Sequence, residues 1–380
     1  MAVAPPGFVP PPYPHDRLDA LRRLADAVPG GLVDCSVGNP VDPIPEVALR
    51  ALADAAPRAT GYPAAIGSVE LRAAASAWLA RRLAVDVPAD AIVACIGTKE
   101  LVASLPRLLV LRDPSRDTVL YPAVSYPTYA MGAQLAGLRA VPVPVDDEWC
   151  LDLGRVASSD SERALMLWTN DPSNPTAAIA GPGRTRAAVE WARERGIVLA
   201  ADECYVEFSV GPPSTALAAG SSGILAVHSL SKRSNMAGFR LGFVAGDPQL
   251  IHYIGETRRH AGLMVPAPLQ AAGAAALADD AHVDAQRAIY TDRRALVVDG
   301  LGRHGLVHDG GPVPFYLWLR SETGHDDGWE IAARLAEAGT LVAPGNLYGP
   351  AGADHVRLAL TQPTARLELA VERLTASATA

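Results

Sequence analysis

Lys232 lies within residues 229–242, where hydroxyl side chains, a glycine turn and Arg240 surround this single lysine. Serine hydroxyls and a guanidinium can hydrogen-bond a phosphate group, so Ser229, Ser231 and Arg240 are candidate phosphate ligands. A lysine amine beside such a site can attack an aldehyde and form an imine. Taken alone, the segment is explained equally well by a solvated basic loop.

The chain offers few residues for amine chemistry. Its 33 basic side chains include only two lysines, Lys99 and Lys232. Arginine stays protonated at working pH and cannot act as an amine nucleophile. Lys99 follows Gly97 and Thr98 at the predicted start of a helix, where backbone amides and the threonine hydroxyl predict an anion site. Lys232 is therefore the better candidate for imine formation.

Short strands and helices alternate between about residues 50 and 245, and they must position these side chains. Apolar runs predict buried strands at residues 92–97, 118–121, 140–145, 164–169, 197–201 and 224–228. Helical periodicity covers residues 100–111, 128–138 and 184–195. The alternation predicts an α/β fold with a mostly parallel sheet between helices. Ligands of such sheets bind beyond the carboxyl ends of the strands.

The texture changes after about residue 280, and 380 residues exceed what one hydrophobic core usually organises. Later elements are predicted as helices at 281–303, 327–338 and 364–374 and strands at 315–319, 340–343 and 355–360. We therefore predict a Pro-rich arm and part of the small domain at residues 1–48. A large domain follows at residues 49–279, and a smaller α+β domain at residues 280–380.

Composition excludes several classes of protein. The formal net charge is -8, which argues against binding to a nucleic-acid backbone. Residues 1–16 carry no basic side chain before Arg17, unlike a secretory signal. The apolar stretch 263–278 contains two prolines and Gln270, so it predicts a buried helix and no membrane span. Histidines show no metal-ligand spacing, and four scattered cysteines favour a cytoplasmic location.

Residues 229–242 resemble the lysine-site signature of class I and II aminotransferases at every constrained position. The signature is long and mixed in residue type, so the chain is identified as a member of that family. The resemblance implies the aspartate-aminotransferase fold (fold type I) and pyridoxal 5'-phosphate (PLP) as cofactor. It also implies that Lys232 holds the cofactor as a Schiff base and moves the substrate proton, while Ser229 and Arg240 bind the phosphate.

Two further motifs resemble parts of the same cofactor site. The Asp202 carboxylate follows a buried strand, where it can pair with the pyridine nitrogen and keep it protonated. The resemblance implies this role, and a hydrogen bond from Tyr205 to the phenolic oxygen of the cofactor. Residues 169–176 resemble the family's Asn-Pro-Thr-Gly turn, which implies that Asn174 donates to the same oxygen. Ala177 replaces the usual glycine, and a positive φ there would strain an alanine.

The resemblance extends to an anion site and two aromatic residues. It implies that Gly97, Thr98 and Lys99 contact the phosphate, through backbone amides and the Thr98 hydroxyl. Tyr126 matches the aromatic residue that stacks on the cofactor ring, with a core tyrosine as the alternative. Tyr62 matches a tyrosine that reaches the phosphate of the neighbouring subunit. Tyr62 therefore predicts a homodimer in which the partner completes each active site.

Substrate contacts are implied near both ends of the chain. Residues 37–40 resemble the amino-terminal loop that closes over the amino acid, so Gly38 and Asn39 are candidate substrate ligands. Arg357 matches the arginine that binds the α-carboxylate, and a guanidinium can grip a carboxylate with two hydrogen bonds. A surface ion pair is the alternative for Arg357. We also assign Asn174 to the substrate.

The reaction implied by this resemblance is transamination between an amino acid and a 2-oxo acid. Asn39 and Ala177 bear on the identity of the substrates. Stretches that resemble actinobacterial N-succinyldiaminopimelate aminotransferases are residues 36–43, 96–102, 229–238 and 342–350. This likeness implies lysine biosynthesis, with glutamate as donor and N-succinyl-2-amino-6-oxopimelate as acceptor. The two named residues depart from that group, so a secondary-metabolism enzyme of the same fold stays open.

Such a relative could transaminate another amino acid, or catalyse elimination or carbon–carbon bond formation. A catalytically silent regulator of the same fold is disfavoured by the presence of Lys232, Asp202 and Arg357. A sugar-phosphate aminotransferase is disfavoured because Arg357 suits a carboxylate substrate. Specificity is expected to depend on loops near residues 8–15, 206–222 and 345–352.

Overall fold

Two sheets and one short strand pair form the framework of the computed structural model, which describes residues 7–377. Apolar runs form the buried strands because such side chains suit a pleated surface between two layers. In chain order the strands are β1 (Val33–Asp34), β2 (Ile92–Cys95), β3 (Thr118–Pro122), β4 (Arg139–Val143), β5 (Ala164–Asn170), β6 (Val198–Asp202), β7 (Ile224–Ser229), β8 (Gly242–Gly246), β9 (Leu306–His308), β10 (Tyr316–Ser321), β11 (Thr340–Leu341), β12 (Ala343–Pro344) and β13 (His355–Ala359).

The larger sheet has seven strands in the order β2-β8-β7-β6-β5-β3-β4. Strands from β7 to β4 pair in parallel, and β8 runs antiparallel to both of its neighbours. The predicted mostly parallel sheet is therefore confirmed. The sequence pattern does not predict β8, because its glycine-bounded run continues directly from the lysine segment. Strands β5, β6 and β7 end at one edge, which brings Asn170, Asp202 and Ser229 together.

Helices cover both faces of this sheet. One face packs against side chains such as Trp78 and Ala276, and the other against side chains such as Leu105 and Ile254. No helix among the described residues is long and apolar enough to cross a membrane. In chain order the helices are α1 (Asp19–Asp26), α2 (Glu46–Ala55), α3 (Val69–Leu83), α4 (Thr98–Arg112), α5 (Thr128–Leu135), α6 (Ser158–Arg163), α7 (Gly181–Glu194), α8 (Leu230–Arg233), α9 (Pro248–His260), α10 (Ala267–Ala278), α11 (Ala281–Gly302), α12 (Gly328–Glu337) and α13 (Thr364–Ser377).

The carboxyl-terminal part contains an antiparallel sheet in the order β12-β13-β10-β9. Strand β1, from the amino-terminal segment, pairs in parallel with β11. The single strand predicted at residues 340–343 is wrong, because the chain there forms β11 and β12, which belong to different sheets. In the predicted arm, residues 7–13 form neither helix nor strand, and residues 1–6 lie outside the described residues. The domain boundaries at residues 48 and 279 stay a prediction.

Candidate active site

A cavity of about 260 Å³ lies beyond the carboxyl ends of β5, β6 and β7. The parallel strands aim their last polar residues into it, and β13 and the amino-terminal segment close its other side. The predicted site residues that line this cavity are Gly38, Thr98, Lys99, Tyr126, Asn174, Asp202, Tyr205, Ser229, Ser231, Lys232, Arg240 and Arg357.

Lys232 lies in the short helix α8, directly after β7. Its ammonium donates a hydrogen bond to the carbonyl oxygen of Gly38, on the opposite wall of the cavity. Burial and, to a smaller degree, the positive charge of Arg357 lower the pKa of the Lys232 ammonium to about 8. About one tenth of this amine is therefore neutral, and nucleophilic, at pH 7.

Asp202, at the end of β6, presents a buried carboxylate to the cavity. Its Oδ2 accepts a hydrogen bond from the Tyr129 hydroxyl at 2.7 Å, and its Oδ1 accepts one from the Cys204 backbone amide at 3.2 Å. Burial raises the pKa of the Asp202 carboxyl, and these two hydrogen bonds act in the opposite direction. A buried carboxylate of this kind suits a cationic partner such as a protonated ring nitrogen.

An anion cradle lies at the start of α4. Gly97 has a positive φ of 71°, and a Cβ at this position would collide with the guanidinium of Arg240. Glycine therefore lets Arg240 approach the unpaired backbone amides at the helix start. The hydroxyls of Thr98, Ser229 and Ser231 line the same part of the cavity. Together these groups can bind a phosphate.

Lys99 is oriented away from the cradle. Its ammonium donates to the Tyr13 hydroxyl at 3.0 Å and lies 4.7 Å from the centre of that ring. Tyr13 and His15 come from the amino-terminal loop and also line the cavity. The loop near residues 8–15, which the sequence predicts to affect specificity, therefore contributes side chains at this wall. Only the backbone amide of Lys99 is available for the predicted phosphate contact.

Arg357 projects from the centre of β13 into the cavity and is buried. Its Nη1 donates to the side-chain oxygen of Asn174 at 2.8 Å, and its Nη2 donates to the carbonyl oxygen of Ser36 at 2.6 Å. The rings of Tyr316 and Tyr348 lie 4.3 Å and 4.8 Å from the guanidinium carbon. The two bonds use only one N–H of each Nη atom, so the guanidinium keeps further donors for a ligand.

The turn that carries Asn174 is held from two sides. Asn170 accepts a hydrogen bond from the Asn174 backbone amide at 2.8 Å and donates to the carbonyl oxygen of Asp202 at 2.9 Å. The turn therefore sits at a fixed distance from β6. Ala177 has a positive φ of 59°. The turn therefore adopts the backbone conformation that favours glycine and strains alanine, as considered from the sequence.

Two tyrosines meet at the inner wall. The hydroxyls of Tyr205 and Tyr316 form a hydrogen bond of 2.9 Å. Burial raises the pKa of both phenols, so both remain protonated at neutral pH. Tyr126 also lines the cavity and meets the ring of Tyr129 edge-on at 5.8 Å.

Three predicted site residues lie outside the lining of the cavity. Gly97 lies behind the Arg240 guanidinium, the side chain of Asn39 is exposed, and Tyr62 is 98% exposed. Conversely, the sequence interpretation missed Tyr129 and Tyr316. Tyr129 could have been found from its position in the first turn of α5, three residues after Tyr126, whereas Tyr316 has no local signal beyond its place in a predicted strand.

Comparison with known proteins agrees with this architecture. The sequence profile of class I and II aminotransferases matches residues 31–374. A "Probable aminotransferase" of Mycobacterium tuberculosis is 45% identical over 374 residues, which cover 96% of this chain and 85% of the relative. The 4-dedimethylamino-4-oxo-anhydrotetracycline transaminase OxyQ of Streptomyces rimosus is 44% identical over 371 residues, which cover 96% of this chain and 99% of the relative.

A solved structure extends the comparison to three dimensions. The probable N-succinyldiaminopimelate aminotransferase of Thermus thermophilus has a TM-score of 0.87 and 30% identity, covering 96% of this chain and 100% of that chain. The fold is therefore the aspartate-aminotransferase-like fold that the sequence predicts, and the protein is an aminotransferase. It belongs to the class I and II aminotransferase family.

Proposed function

We propose that this aminotransferase uses pyridoxal 5'-phosphate to move an amino group from an amino acid, with glutamate as donor, to a 2-oxo acid. The observation that carries this proposal is the placement of Lys232 and Arg357 in one cavity. An amine that can bond to an aldehyde thus faces a cation that can bind a carboxylate.

The residues present suit this cofactor. A phosphate would bind in the cradle lined by Thr98, Ser229, Ser231 and Arg240. Lys232 lines the same cavity, so its amine could form a covalent bond to the cofactor. Asp202 would pair with the ring nitrogen, because its carboxylate is buried and faces the cavity. When bound, the cofactor withdraws electrons from the substrate carbon whose C–H bond breaks.

The protein side chains would bind, orient and transfer a proton. Arg357 would hold the α-carboxylate, because it lines the cavity and its bonds to Asn174 and Ser36 leave each Nη atom a second N–H donor. Holding the carboxylate fixes the direction of the Cα–H bond. The Lys232 amine would move a proton from the substrate Cα to the cofactor carbon, because a pKa lowered to about 8 lets it exist in either protonation state.

Glutamate is the proposed donor because the cavity carries one cation that is assigned neither to the cofactor phosphate nor to the α-carboxylate. The Lys99 side chain lies at the cavity wall, where its ammonium donates to the Tyr13 hydroxyl at 3.0 Å and pairs with no carboxylate among residues 7–377. An acidic side chain on the substrate would complement this charge. The positive charge of Lys99 would also suit N-succinyl-2-amino-6-oxopimelate, which carries several carboxylates. This intermediate of lysine biosynthesis is our first candidate for the acceptor.

A second acceptor is favoured by the comparison with OxyQ, which is 44% identical and is named for a 4-oxo-anhydrotetracycline substrate. We therefore propose a polycyclic ketone of secondary metabolism as the alternative acceptor, with the same amino donor. Elimination and carbon–carbon bond formation receive no support from these relatives, whose names describe aminotransfer.

We also propose a homodimer. Tyr62 is 98% exposed and lies outside the cavity lining of its own subunit, which is the placement expected of a residue that acts in the neighbouring site. Size-exclusion chromatography with light scattering tests the assembly. A stable monomer that retains full activity would contradict this part of the proposal.

The chemistry is tested by adding pyridoxal 5'-phosphate and glutamate to the purified protein. We expect visible absorbance from covalently bound cofactor, its loss on addition of glutamate, and one equivalent of 2-oxoglutarate. Lys232→Ala should abolish the covalent absorbance, whereas Lys99→Ala, the variant of the only other lysine, should keep it. Absorbance that survives in Lys232→Ala, or no 2-oxoglutarate from the native protein, contradicts the proposal. The two candidate acceptors are then compared by product formation.

A further inference from the structure

The hydrogen bond between Tyr205 and Tyr316 raises a question of proton supply. Their hydroxyl oxygens lie 2.9 Å apart, and both side chains are buried. Each hydroxyl has one proton to donate, although its oxygen can accept as well. If Tyr205 donates to the phenolic oxygen of the cofactor, as the family resemblance implies, it has no proton left for Tyr316. Tyr316 must then be the donor of the bond between them.

We propose that Tyr316 is a positioning residue that donates its hydroxyl proton to Tyr205 and thereby keeps the Tyr205 proton directed at the cofactor. This inference rests on the proposed function, because it assigns a role toward the bound cofactor. A hydroxyl that accepts one hydrogen bond is polarised and becomes a stronger donor in the next. Tyr316 would thus strengthen the bond from Tyr205 to the phenolic oxygen without touching the cofactor itself.

The position of the Tyr316 hydroxyl is restricted from two sides. Gly38 passes so close that a Cβ at this position would overlap the Tyr316 hydroxyl. The guanidinium of Arg357 lies 4.3 Å from the centre of the Tyr316 ring. The Tyr316 hydroxyl therefore faces Tyr205, while the face of its ring packs against Arg357, the residue proposed to bind the substrate carboxylate. Tyr316 thus contacts both Arg357, proposed for the substrate, and Tyr205, proposed for the cofactor.

Charged and titratable groups surround the two hydroxyls. Burial raises the pKa of Tyr316, and the charge of Arg357, which lies above the ring, acts in the opposite direction. Cys204 and Asp202 act on the same phenol from β6 and the residues after it, and each raises its pKa. Lys232 lines the same cavity from α8. None of these groups displaces Tyr316 as the hydrogen-bond partner of Tyr205 among the described residues.

The readout is the pH at which the bound cofactor changes colour as its covalent linkage to lysine loses a proton. The linkage carries more negative charge on the phenolic oxygen after this loss, so hydrogen bonds to that oxygen hold the pKa of the linkage low. Weakening those bonds therefore raises the pH midpoint. Tyr316→Phe removes the hydroxyl but keeps the ring beside Arg357.

We expect Tyr205→Phe to raise the midpoint by about one pH unit, the equivalent of one ordinary hydrogen bond. Tyr316→Phe should raise it by roughly 0.3 unit, because cooperativity contributes only about 10–30% of a bond. In the double variant the midpoint should equal that of Tyr205→Phe alone, since Tyr316 acts only through Tyr205.

Tyr348→Phe is the matched control. Tyr348 also packs against Arg357, at 4.8 Å, but its hydroxyl has no hydrogen-bond partner among the described residues. Its loss should leave the midpoint unchanged. The inference is overturned if Tyr316→Phe leaves the midpoint unchanged, or if its shift persists fully in the Tyr205→Phe background. Failure of the native protein to form the coloured linkage would instead refute the proposed function, so the two failures are distinguishable.

Discussion

Arg357 donates from Nη1 to the side-chain oxygen of Asn174 at 2.8 Å, although 183 positions separate the two residues in the chain. The strand β13 thus presents its guanidinium to the turn that follows β5. The residue proposed for the substrate carboxylate is fixed by the residue proposed for the cofactor.

Replacing Arg357 by lysine tests its proposed role. Arg357→Lys keeps a positive charge but loses the planar pair of donors that can grip a carboxylate. We expect kcat/KM for glutamate to fall about 100-fold, which corresponds to about 2.7 kcal/mol of transition-state binding. Cofactor affinity should change little, because the phosphate cradle lies at the start of α4. Steady-state kinetics and cofactor titration measure the two effects, and equal loss in both would contradict the assignment.

The pH dependence of cofactor capture follows from the pKa of Lys232. Burial and Arg357 lower it from 10.5 to about 8, so the amine of the cofactor-free protein becomes neutral as pH rises through 8. Because only the neutral amine attacks an aldehyde, the rate of covalent attachment should rise with pH to a plateau, with its midpoint near 8. Stopped-flow absorbance measures this rate.

Arg357→Gln should shift that midpoint upward, because the arginine charge disfavours the protonated lysine. The control is Arg303→Gln, which removes a charge from a solvent-exposed ion pair with Asp299. This variant should leave the midpoint unchanged. An unperturbed lysine profile in the native protein would show that the amine is not desolvated as the structure describes.

The charge state of the Asp202 carboxyl should depend on the hydroxyl of Tyr129. Tyr129→Phe removes the 2.7 Å hydrogen bond to Oδ2, so the already raised pKa of the buried carboxyl should rise further. Protonated Asp202 pairs poorly with a cationic ring nitrogen, and we expect cofactor affinity to fall about 5–10-fold, the value of one hydrogen bond. The loss should be greater at acid pH, because there the carboxyl is protonated in a larger fraction of molecules.

Tyr253→Phe is the control for this experiment. The Tyr253 hydroxyl donates to the carbonyl oxygen of Leu108 at 2.9 Å, away from the cavity lining. Its removal should leave cofactor affinity unchanged. Equal effects from Tyr129→Phe and Tyr253→Phe would assign the loss to general destabilisation and remove the special role of Tyr129.

The sequence predicts those site features that are local in the chain. Lys232 and Ser229 follow one strand within a single signature, and the ends of parallel strands must meet at one edge, which brings Asp202 beside them. The bonds from Tyr129 to Asp202 and from Tyr316 to Tyr205 span 73 and 111 positions. Such pairs depend on how helices and a second sheet pack on the first, which no periodicity in one sequence encodes.

Local sequence pattern also does not predict the direction in which a long side chain extends. Lys99 follows a glycine at the start of a helix, as the anion site requires, yet its ammonium extends to Tyr13 in the amino-terminal loop. A flexible four-carbon side chain takes the direction of its available partners, and here that partner comes from 86 positions away. Only the backbone part of its role follows from sequence position.

An ion pair supports the helix start that carries the proposed phosphate cradle. Arg258 is fully buried and makes two hydrogen bonds of 2.8 Å to the carboxylate of Glu100, in the first turn of α4. Glu100→Gln keeps the shape but leaves the arginine charge without its partner. Because the Glu100 side chain is 24% exposed, we expect a loss at the lower end for a buried pair, about 3 kcal/mol of unfolding free energy. Denaturant unfolding of the cofactor-free protein measures this loss.

Asp299→Asn provides the comparison, because Asp299 pairs with Arg303 where both side chains are about 70% exposed. Solvent screens that pair, so its loss should change the unfolding free energy by less than about 1 kcal/mol. Glu100→Gln should in addition weaken phosphate binding, since the amides of the cradle belong to the same helical turn. If both variants unfold alike, the buried pair adds no more than a surface pair, and the helix start is held by packing alone.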